Sequence, residues 1–583
     1  MTTTKIDPIT LEVMRNGFYS IADEMIAALI RASYSTNIKD RRDTSGAIYT
    51  GSGEVVVVAQ SEIGTPLHLG TMHSAVLTAM DLYPFDELEP GDAVALNTPY
   101  PAGPGHLNDL ALISPVFFEG QLIAITANQA HHVDMGGFAP GSMPFGVKEI
   151  YQEGLQIPPV RLFRKGVLDR DLWAMIAQNV RPQREVRGDL LAQFAANNVA
   201  QRRLIDLAGR YGIDMVKRYL DEMLNYSERR MRAALHQIPE GTYEFEDVME
   251  GDGITEDQIT IRVKLVAKGD SFVADFSDTD DGCDGPLNCR WPSVAACVYY
   301  VLKACLDPEL PPNAGAYRPI EVIVREGSLL SAKYPTAVCN ANIITTQRIT
   351  DVLLGALAPI IPERVLAACS GTMNLLNIGG IDPRNDIYYN YIETYAGGQG
   401  AMHDADGMDA VQNHMTNTRN APVESIELAY PLLVETYGLV PDSEGAGHYR
   451  GGIGVRRNLR VLGKDVTLTL SSDREKVSPW GLFGGGDAAP SKCTIAAPDG
   501  TDKRLPSKVT TTVRHDHVIK TQTPGGGGWG DPKTRDPRDV LLDVLEGFIS
   551  PERARAAYGV AVDLNNMTVD ETETASLRGL GQL

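Results

Sequence analysis

No stretch of this 583-residue chain approaches the roughly 20 consecutive apolar residues that a membrane helix needs. The opening Met1-Thr2-Thr3-Thr4-Lys5-Ile6-Asp7 holds no apolar run, so no signal peptide is expected. Cysteine is scarce and odd in number: Cys283, Cys289, Cys297, Cys305, Cys339, Cys369 and Cys493, none in a C-x-x-C pair. That pattern excludes a disulfide framework and a zinc ribbon, and it predicts reduced, mostly buried thiols in a cytoplasmic protein. Basic clusters are also missing. A net charge of -22 and a pI near 5.0 set up a field that repels phosphate backbones and anionic lipid heads, so neither nucleic acid nor membrane is an expected partner.

Nucleotide motifs are absent too. Gly484-Gly485-Gly486 and Gly525–Gly528 lack the Lys and Ser/Thr that a phosphate loop requires at fixed positions. Gly525–Gly528 runs into Trp529-Gly530-Asp531-Pro532 rather than a helix, so it does not fit a dinucleotide fingerprint. If the protein's chemistry uses ATP, another chain is expected to bind it.

What is present is ordinary globular composition, 43% hydrophobic and 22% charged, in a chain too long for one core. Asp7 and Pro8 open a helix whose Leu11, Met14, Phe18, Ile21, Met25 and Leu29 follow a helical period. Strands are predicted at Val55–Ala59 and Asp92–Asn97, and a hairpin pairs Leu110–Phe118 with Gln121–Asn128 across Glu119-Gly120. Pro115 makes the first arm an edge strand or a bulged one. Helices are predicted over 189–237, 294–306 and 345–370, long loops over 396–420, and β-structure over 242–330 and 453–520. Gly525–Gly528 reads as a flexible hinge or tight loop, and 536–558 as a helical hairpin. The expected fold class is α+β (mixed α/β), multi-domain, with mixed sheets and helical segments. The expected domains are an N-terminal α+β domain at 1–240, a central α+β domain at 241–452, a β-rich domain at 453–535 and a helical tail at 536–583.

Chemistry concentrates in two short clusters, His106-Leu107-Asn108-Asp109 and His131-His132-Val133-Asp134. With Glu119-Gly120 as a two-residue turn, Asp109 faces Ala130 and His106 faces Val133. Both clusters then lie at the open end of one hairpin, where side chains about 5–8 Å apart can meet around one cation. Two histidines and a carboxylate suit Zn, Mn or Fe and leave positions open for water. The competing reading is that these groups only satisfy one another at a strand end. Strict alternation sends His131 and His132 to opposite faces, and spacing alone does not choose between them. His68 and His73 form a weaker pair, more typical of core or loop histidines. His403-Asp404 and Asn413-His414 sit in the polar loops, and Asp278–Asp281 lacks a full calcium-loop spacing.

The chain resembles the hydantoinase B family over nearly its whole length. The matching segments are STNIKDRRD at 35–43, PLHLG at 66–70, HLND at 106–109, HHVDMGG at 131–137, EIYQEG at 149–154, PWGLFGG at 479–485 and TPGGGG at 523–528. The family is similar to the C-terminal half of 5-oxoprolinase and to a subunit of acetone and acetophenone carboxylases. The resemblance implies an A-type partner that binds ATP and Mg and phosphorylates the substrate, in a hetero-tetramer. It implies a divalent metal on His106, Asp109 and His131, with His132 or Asp134 orienting a ligand or moving a proton. Many relatives carry Pro where Asn108 stands, a change expected to alter loop stiffness more than ligation. The implied activity is ATP-dependent opening of a hydantoin, 5-oxoproline or lactam ring. The alternatives are a ketone carboxylase subunit and, in another class, a non-catalytic scaffold.

Overall fold

The computed structural model describes residues 7–59 and 65–579. The chain starts with α1 (Pro8–Ala32), capped by the Asp7 carboxylate on the N–H groups of Ile9 and Thr10. Its inward stripe is Met14, Phe18, Ile21, Met25 and Leu29, as the period predicts. After α2 (Thr36–Lys39) come β1 (Thr44–Tyr49), β2 (Val55–Val58), α3 (His68–Leu82), β3 (Ala93–Leu96), β4 (Asp109–Phe118), β5 (Gln121–His131), β6 (Val160–Arg164) and β7 (Val167–Leu168). The strands form one antiparallel sheet in the order β2-β1-β5-β4-β3-β6-β7. Alternation along β3 sends Val94 and Leu96 into one core and Ala93 and Ala95 into another, so both faces of the sheet are covered.

The helical region after the sheet is three helices: α4 (Arg170–Asn179), α5 (Gln183–Tyr211) and α6 (Ile213–Leu235), the last two separated at Gly212, whose φ is 86°. A buried polar stripe on α5 fixes it to the sheet. Gln193 Nε2 donates to the Leu110 carbonyl at 2.9 Å, Asn197 Nδ2 donates to the Leu112 carbonyl at 3.0 Å, and Asn128 Nδ2 donates to Asn197 Oδ1 at 2.8 Å. One turn earlier, Asp189 Oδ1 accepts the N–H of Tyr34 at 2.8 Å and of Ser35 at 3.2 Å. The same helix face therefore locks the central hairpin and the α1–α2 corner, the two segments that carry the site.

The hairpin meets one sequence expectation and departs from another. Pro115 stands in an arm whose pairing with β5 is bulged, the second of its two readings, and not on an edge strand, because β4 is flanked by β5 and β3. It escapes the cost of its missing N–H because the β3 pairing covers only Ala111–Ile113. The register also differs from that of a plain two-residue hairpin. Glu119 and Gly120 both take positive φ, 49° and 76°, as a two-residue turn requires. A bulge between Val116 and Phe117 then leaves Ile123 as an extra residue, and Asp109 faces His131 instead of Ala130.

Beyond residue 240, a four-stranded sheet combines Gly241–Glu250, Gln258–Lys268, Ser271–Asp275 and Ile320–Ile323. The predicted helix at 345–370 is shorter, Thr345–Leu357, with Pro362 beyond its end. The region 396–420 is loop, as its composition predicts. Two further sheets of four and five strands use the strands between Leu375 and Gln522, and helices Pro537–Leu545 and Pro551–Tyr558 form the tail hairpin. Gly525–Gly528 is not a hinge. All four residues are buried, and a Cβ on Gly526 or Gly527 would sit 2.0 Å from the carbonyl oxygen of Gln399 or Trp480. Glycine is required there because backbones pack against one another. No helix among the described residues is long and apolar enough to cross a membrane. Six of the seven cysteines are buried and all are free, as expected.

Candidate metal centre

The bulged register places Asp109, the first residue of β4, directly opposite His131, the last residue of β5. His106 reaches the same point from the preceding turn, in which the Asp109 N–H bonds the His106 carbonyl at 3.2 Å. The ligand atoms of His106, Asp109 and His131 all lie within 4.8 Å of one another, and the three side chains are 2%, 2% and 5% exposed. Among the described residues, this is the one group of three or more His, Cys, Asp or Glu so arranged.

Tautomer geometry explains why these residue types meet. His106 Nδ1 lies 3.0 Å from the Cys339 carbonyl, so it is the nitrogen that carries the proton. Nε2 then presents its lone pair 3.3 Å from Asp109 Oδ2. Two lone pairs facing each other in a buried site require a proton or a cation between them. Without a cation, burial disfavours the charged His106 ring, but Asp109 and the Cys339 carbonyl outweigh burial and raise its pKa. Asp109 is held well below the usual carboxylate range, since His106 and His68 overcome its burial. His131 is pushed down to about 4, mainly by burial, so its ring is neutral.

Sequence spacing gave one of the cluster's neighbours, His68, little weight and did not single out the others. His68, the first residue of α3, puts Nε2 3.7 Å from Asp109 Oδ2 and Nδ1 2.8 Å from Ser45 Oγ. Asn342 Nδ2 is 3.4 Å from Asp109 Oδ2. His68, Arg41, Asp43 and Asn342 line one cavity with the three cluster residues, beside an apolar wall that includes Leu67, Ile343, Met373, Leu375 and Ile392. Behind His106, buried Glu153 accepts the N–H groups of Val338 at 2.5 Å and Cys339 at 2.8 Å, and burial raises its carboxyl to about 7. Only the segments STNIKDRRD and EIYQEG, which carry the family resemblance, drew attention to Arg41, Asp43 and Glu153, while His68 stood in the sequence as half of a weaker candidate pair with His73.

The structure does not bring His132 and Asp134 to this cavity. Strand alternation turns His132 away, and its Nε2 meets Gln193 Oε1 on α5 at 3.0 Å. The Asp134 carboxylate is occupied by Arg181 at 2.8 Å and by the N–H groups of Gly136, Gly141 and Arg181. His73 is half-buried and stacks near Tyr49. His403 and His414 have their own acidic neighbours, Asp404 at 3.4 Å and Asp351 at 3.6 Å. Asp280 pairs with Arg262 at 2.7 Å, a structural use of the acidic run.

A multi-sheet mixed α/β fold with a buried two-histidine, one-carboxylate cluster at a hairpin end defines a class of protein rather than a substrate. The chain belongs to the hydantoinase B/oxoprolinase family, whose model matches residues 7–532. An uncharacterized protein of Methanocaldococcus jannaschii is 39% identical over 99% of this chain and 100% of its own length. The caprolactamase subunit beta of Pseudomonas jessenii is 31% identical over 98% of this chain and 99% of its own. The solved structure of the ATP-dependent caprolactamase from that organism superposes with a TM-score of 0.91 at 30% identity, covering 99% of this chain and 100% of that one. An acetone carboxylase structure shares the fold with a TM-score of 0.91 at 21% identity, covering 98% of this chain and 83% of that one.

Proposed function

We propose that this chain is the metal-binding B-type subunit of an ATP-dependent cyclic amide hydrolase. An A-type partner binds ATP and Mg and phosphorylates the amide oxygen of a hydantoin, 5-oxoproline or lactam ring. This chain then receives the activated ring. The observation that carries the reading is the buried meeting of His106 Nε2 and Asp109 Oδ2 at 3.3 Å beside His131, a donor set that fits a divalent cation. Zn, Mn or Fe held by these three residues would lower the pKa of water toward neutrality.

The remaining steps belong to the chain's own side chains. The Cys339 carbonyl keeps His106 in the tautomer that leaves Nε2 free. His68 lies beside Asp109 and touches Ser45 Oγ, a position from which it can hold or pass a proton, and it takes the role that sequence assigned to His132 or Asp134. His132 and Asp134 act by fixing the chain just after β5, through Gln193 and Arg181. The apolar wall accepts ring methylenes and excludes bulk water.

The test combines the purified chain with its A-type partner, ATP, a divalent metal and a panel of cyclic amides. ATP consumption should rise with at least one of them, with the ring-opened product appearing in step. If no cyclic amide raises it, but acetone or acetophenone with bicarbonate does and yields a carboxylated product, the chain is a carboxylase subunit instead. In the active complex, His68→Gln should leave metal content unchanged and lower turnover about 100-fold or more, the usual scale for a positioned acid–base group. Unchanged turnover would remove His68 from proton handling.

A further inference from the structure

Four arginine side chains are among the largest wholly buried groups: Arg41, Arg348, Arg457 and Arg474. Three of them meet carboxylates. Arg348 pairs with Asp473 at 2.9 Å, Arg457 with Glu393 at 2.5 Å, and Arg474 with Asp247 and Asp351 at 2.9 Å each. Arg41 is different. Its terminal nitrogens donate to Asn37 Oδ1, to the Ile392 carbonyl at 3.0 Å and to Thr394 Oγ1 at 3.0 Å, all neutral acceptors. Its Nε–H has no acceptor, a feature shared with the other three, so the missing carboxylate is what sets Arg41 apart. Among the described residues, no carboxylate lies within ion-pair distance of it. The two acids on the same cavity are engaged elsewhere: Asp109 with His106 and His68, and Asp43 with the Thr65 hydroxyl at 3.2 Å.

A guanidinium taken out of water without a counter-charge is strongly unfavourable, and proteins seldom keep one without a use for it. Arg41 also lines the cavity of the His106–Asp109–His131 cluster, as do Thr394 and the apolar wall. The cavity therefore offers a cation-binding end, an apolar surface for a ring, and a buried positive charge with an unused donor. A planar guanidinium suits the oxygens of a phosphoryl group, which it can grip with two parallel hydrogen bonds.

We propose that Arg41 forms a subsite for a tetrahedral oxyanion, the phosphoryl group that the activated substrate carries. This rests on the reading that the substrate arrives phosphorylated. Arg41 fixes the orientation of that group and counters its charge, so the ring carbon is held toward the metal cluster. The same oxyanion chemistry could come from a carboxylate on the ring, and the two sources differ in geometry and charge.

Arg41 also braces Asn37, whose Nδ2 lies 2.9 Å from His131 Nδ1 and donates to the His131 carbonyl at 2.6 Å. The test must therefore separate anion binding from damage to the cluster. Inorganic phosphate is titrated calorimetrically into the full-length chain, metal-loaded and again after chelation, with acetate as the carboxylate probe. Phosphate should bind saturably in both states, at least ten-fold tighter than acetate. Arg41→Lys, which keeps the charge but loses the planar fork, should weaken phosphate binding about ten-fold at unchanged metal content. Arg41→Met should abolish it, and if that variant does not fold, the Lys variant decides. Phosphate binding that survives Arg41→Met, appears only with metal present, or is matched by acetate overturns the subsite. If Arg41-dependent phosphate binding is found but no cyclic amide stimulates ATP use, the proposed reaction falls and the subsite stands. Normal turnover in the Arg41→Met complex has the opposite meaning.

Discussion

Asp109→Ala should strip this chain of its divalent metal and stop turnover of the assembled complex. Elemental analysis of the unaltered chain should find about one Zn, Mn or Fe per chain. Even partners that only orient a ligand are worth about 10–100-fold in metal affinity, and loss of one of three direct ligands should exceed that. Asp109 matters most because its Oδ2 is shared: His106 Nε2 is 3.3 Å away, Asn342 Nδ2 3.4 Å and His68 Nε2 3.7 Å. Removing the carboxylate leaves two neutral histidines and takes away the one negative charge among the three ligands. His106→Ala and His131→Ala should each act in the same direction. His403→Ala, beside Asp404, and His448→Ala, beside Thr534, should leave metal content unchanged. Retention of the metal by a triple His106, Asp109 and His131 variant would place the site elsewhere and remove the basis of the proposed reaction.

The hairpin shows how much of this was legible in the sequence. The turn at Glu119-Gly120 and the two arms follow from composition and alternation, and they bring both His/Asp clusters to one end. Which histidine joins Asp109 depends on one residue. In the unbulged register Asp109 faces Ala130, so His132 shares its face. The extra Ile123 shifts every later pair by one, makes His131 the partner and turns His132 into α5. A one-residue slip exchanges the two faces of a strand, and Pro115 signals a bulge or an edge without saying which, or where the extra residue falls. The resemblance to the family, not the spacing, pointed to His131. In the sequence His68 is only a weaker candidate and Asp43 is not singled out, for another reason. They reach the cavity because β1 lies beside β5 and α3 begins next to it, a consequence of strand order rather than of local pattern. The glycine run at 525–528 looked mobile because nothing local shows that other backbones pack onto it.

The frame that holds Cys339 and Asn342 rests on a buried ionic cluster, and breaking it carries the second large expected effect. Asp473 receives Arg348 at 2.9 Å and Lys508 at 2.7 Å, while Arg474 reaches Asp247 and Asp351 at 2.9 Å each. These residues come from strand Gly241–Glu250, helix Thr345–Leu357, the segment after strand Asp465–Ser471, and strand Lys508–Arg514. Three acids face two arginines and a lysine, with His414 also 3.6 Å from Asp351, and Asp473 is the carboxylate that Lys508 meets, so removing it leaves that ammonium buried without an acid while Arg348 keeps only Asp247 at 3.3 Å. Asp473→Ala should therefore lower the unfolding free energy by about 3–5 kcal/mol, measured by urea denaturation. A loss below about 1 kcal/mol would mean that water enters the cluster and replaces the carboxylate. Acid should act in the same direction. Burial alone would raise the pKa of Asp473, but Lys508 and Arg348 outweigh it and hold the carboxyl below its usual value. A depressed carboxyl contributes its stability above the unfolded value near 3.9 and loses it as pH falls through the folded one. The unaltered chain should thus lose stability more steeply below about pH 4 than the Asp473→Ala variant, which no longer has that proton to take up. Because Ser471 Oγ also donates to Asn340 Oδ1 at 2.7 Å, next to Cys339, the loss should reach the metal centre as weaker retention at raised temperature. Metal release that tracks unfolding in the Asp473→Ala variant, with normal metal content in the folded chain at low temperature, is the outcome that separates a supporting frame from a ligand.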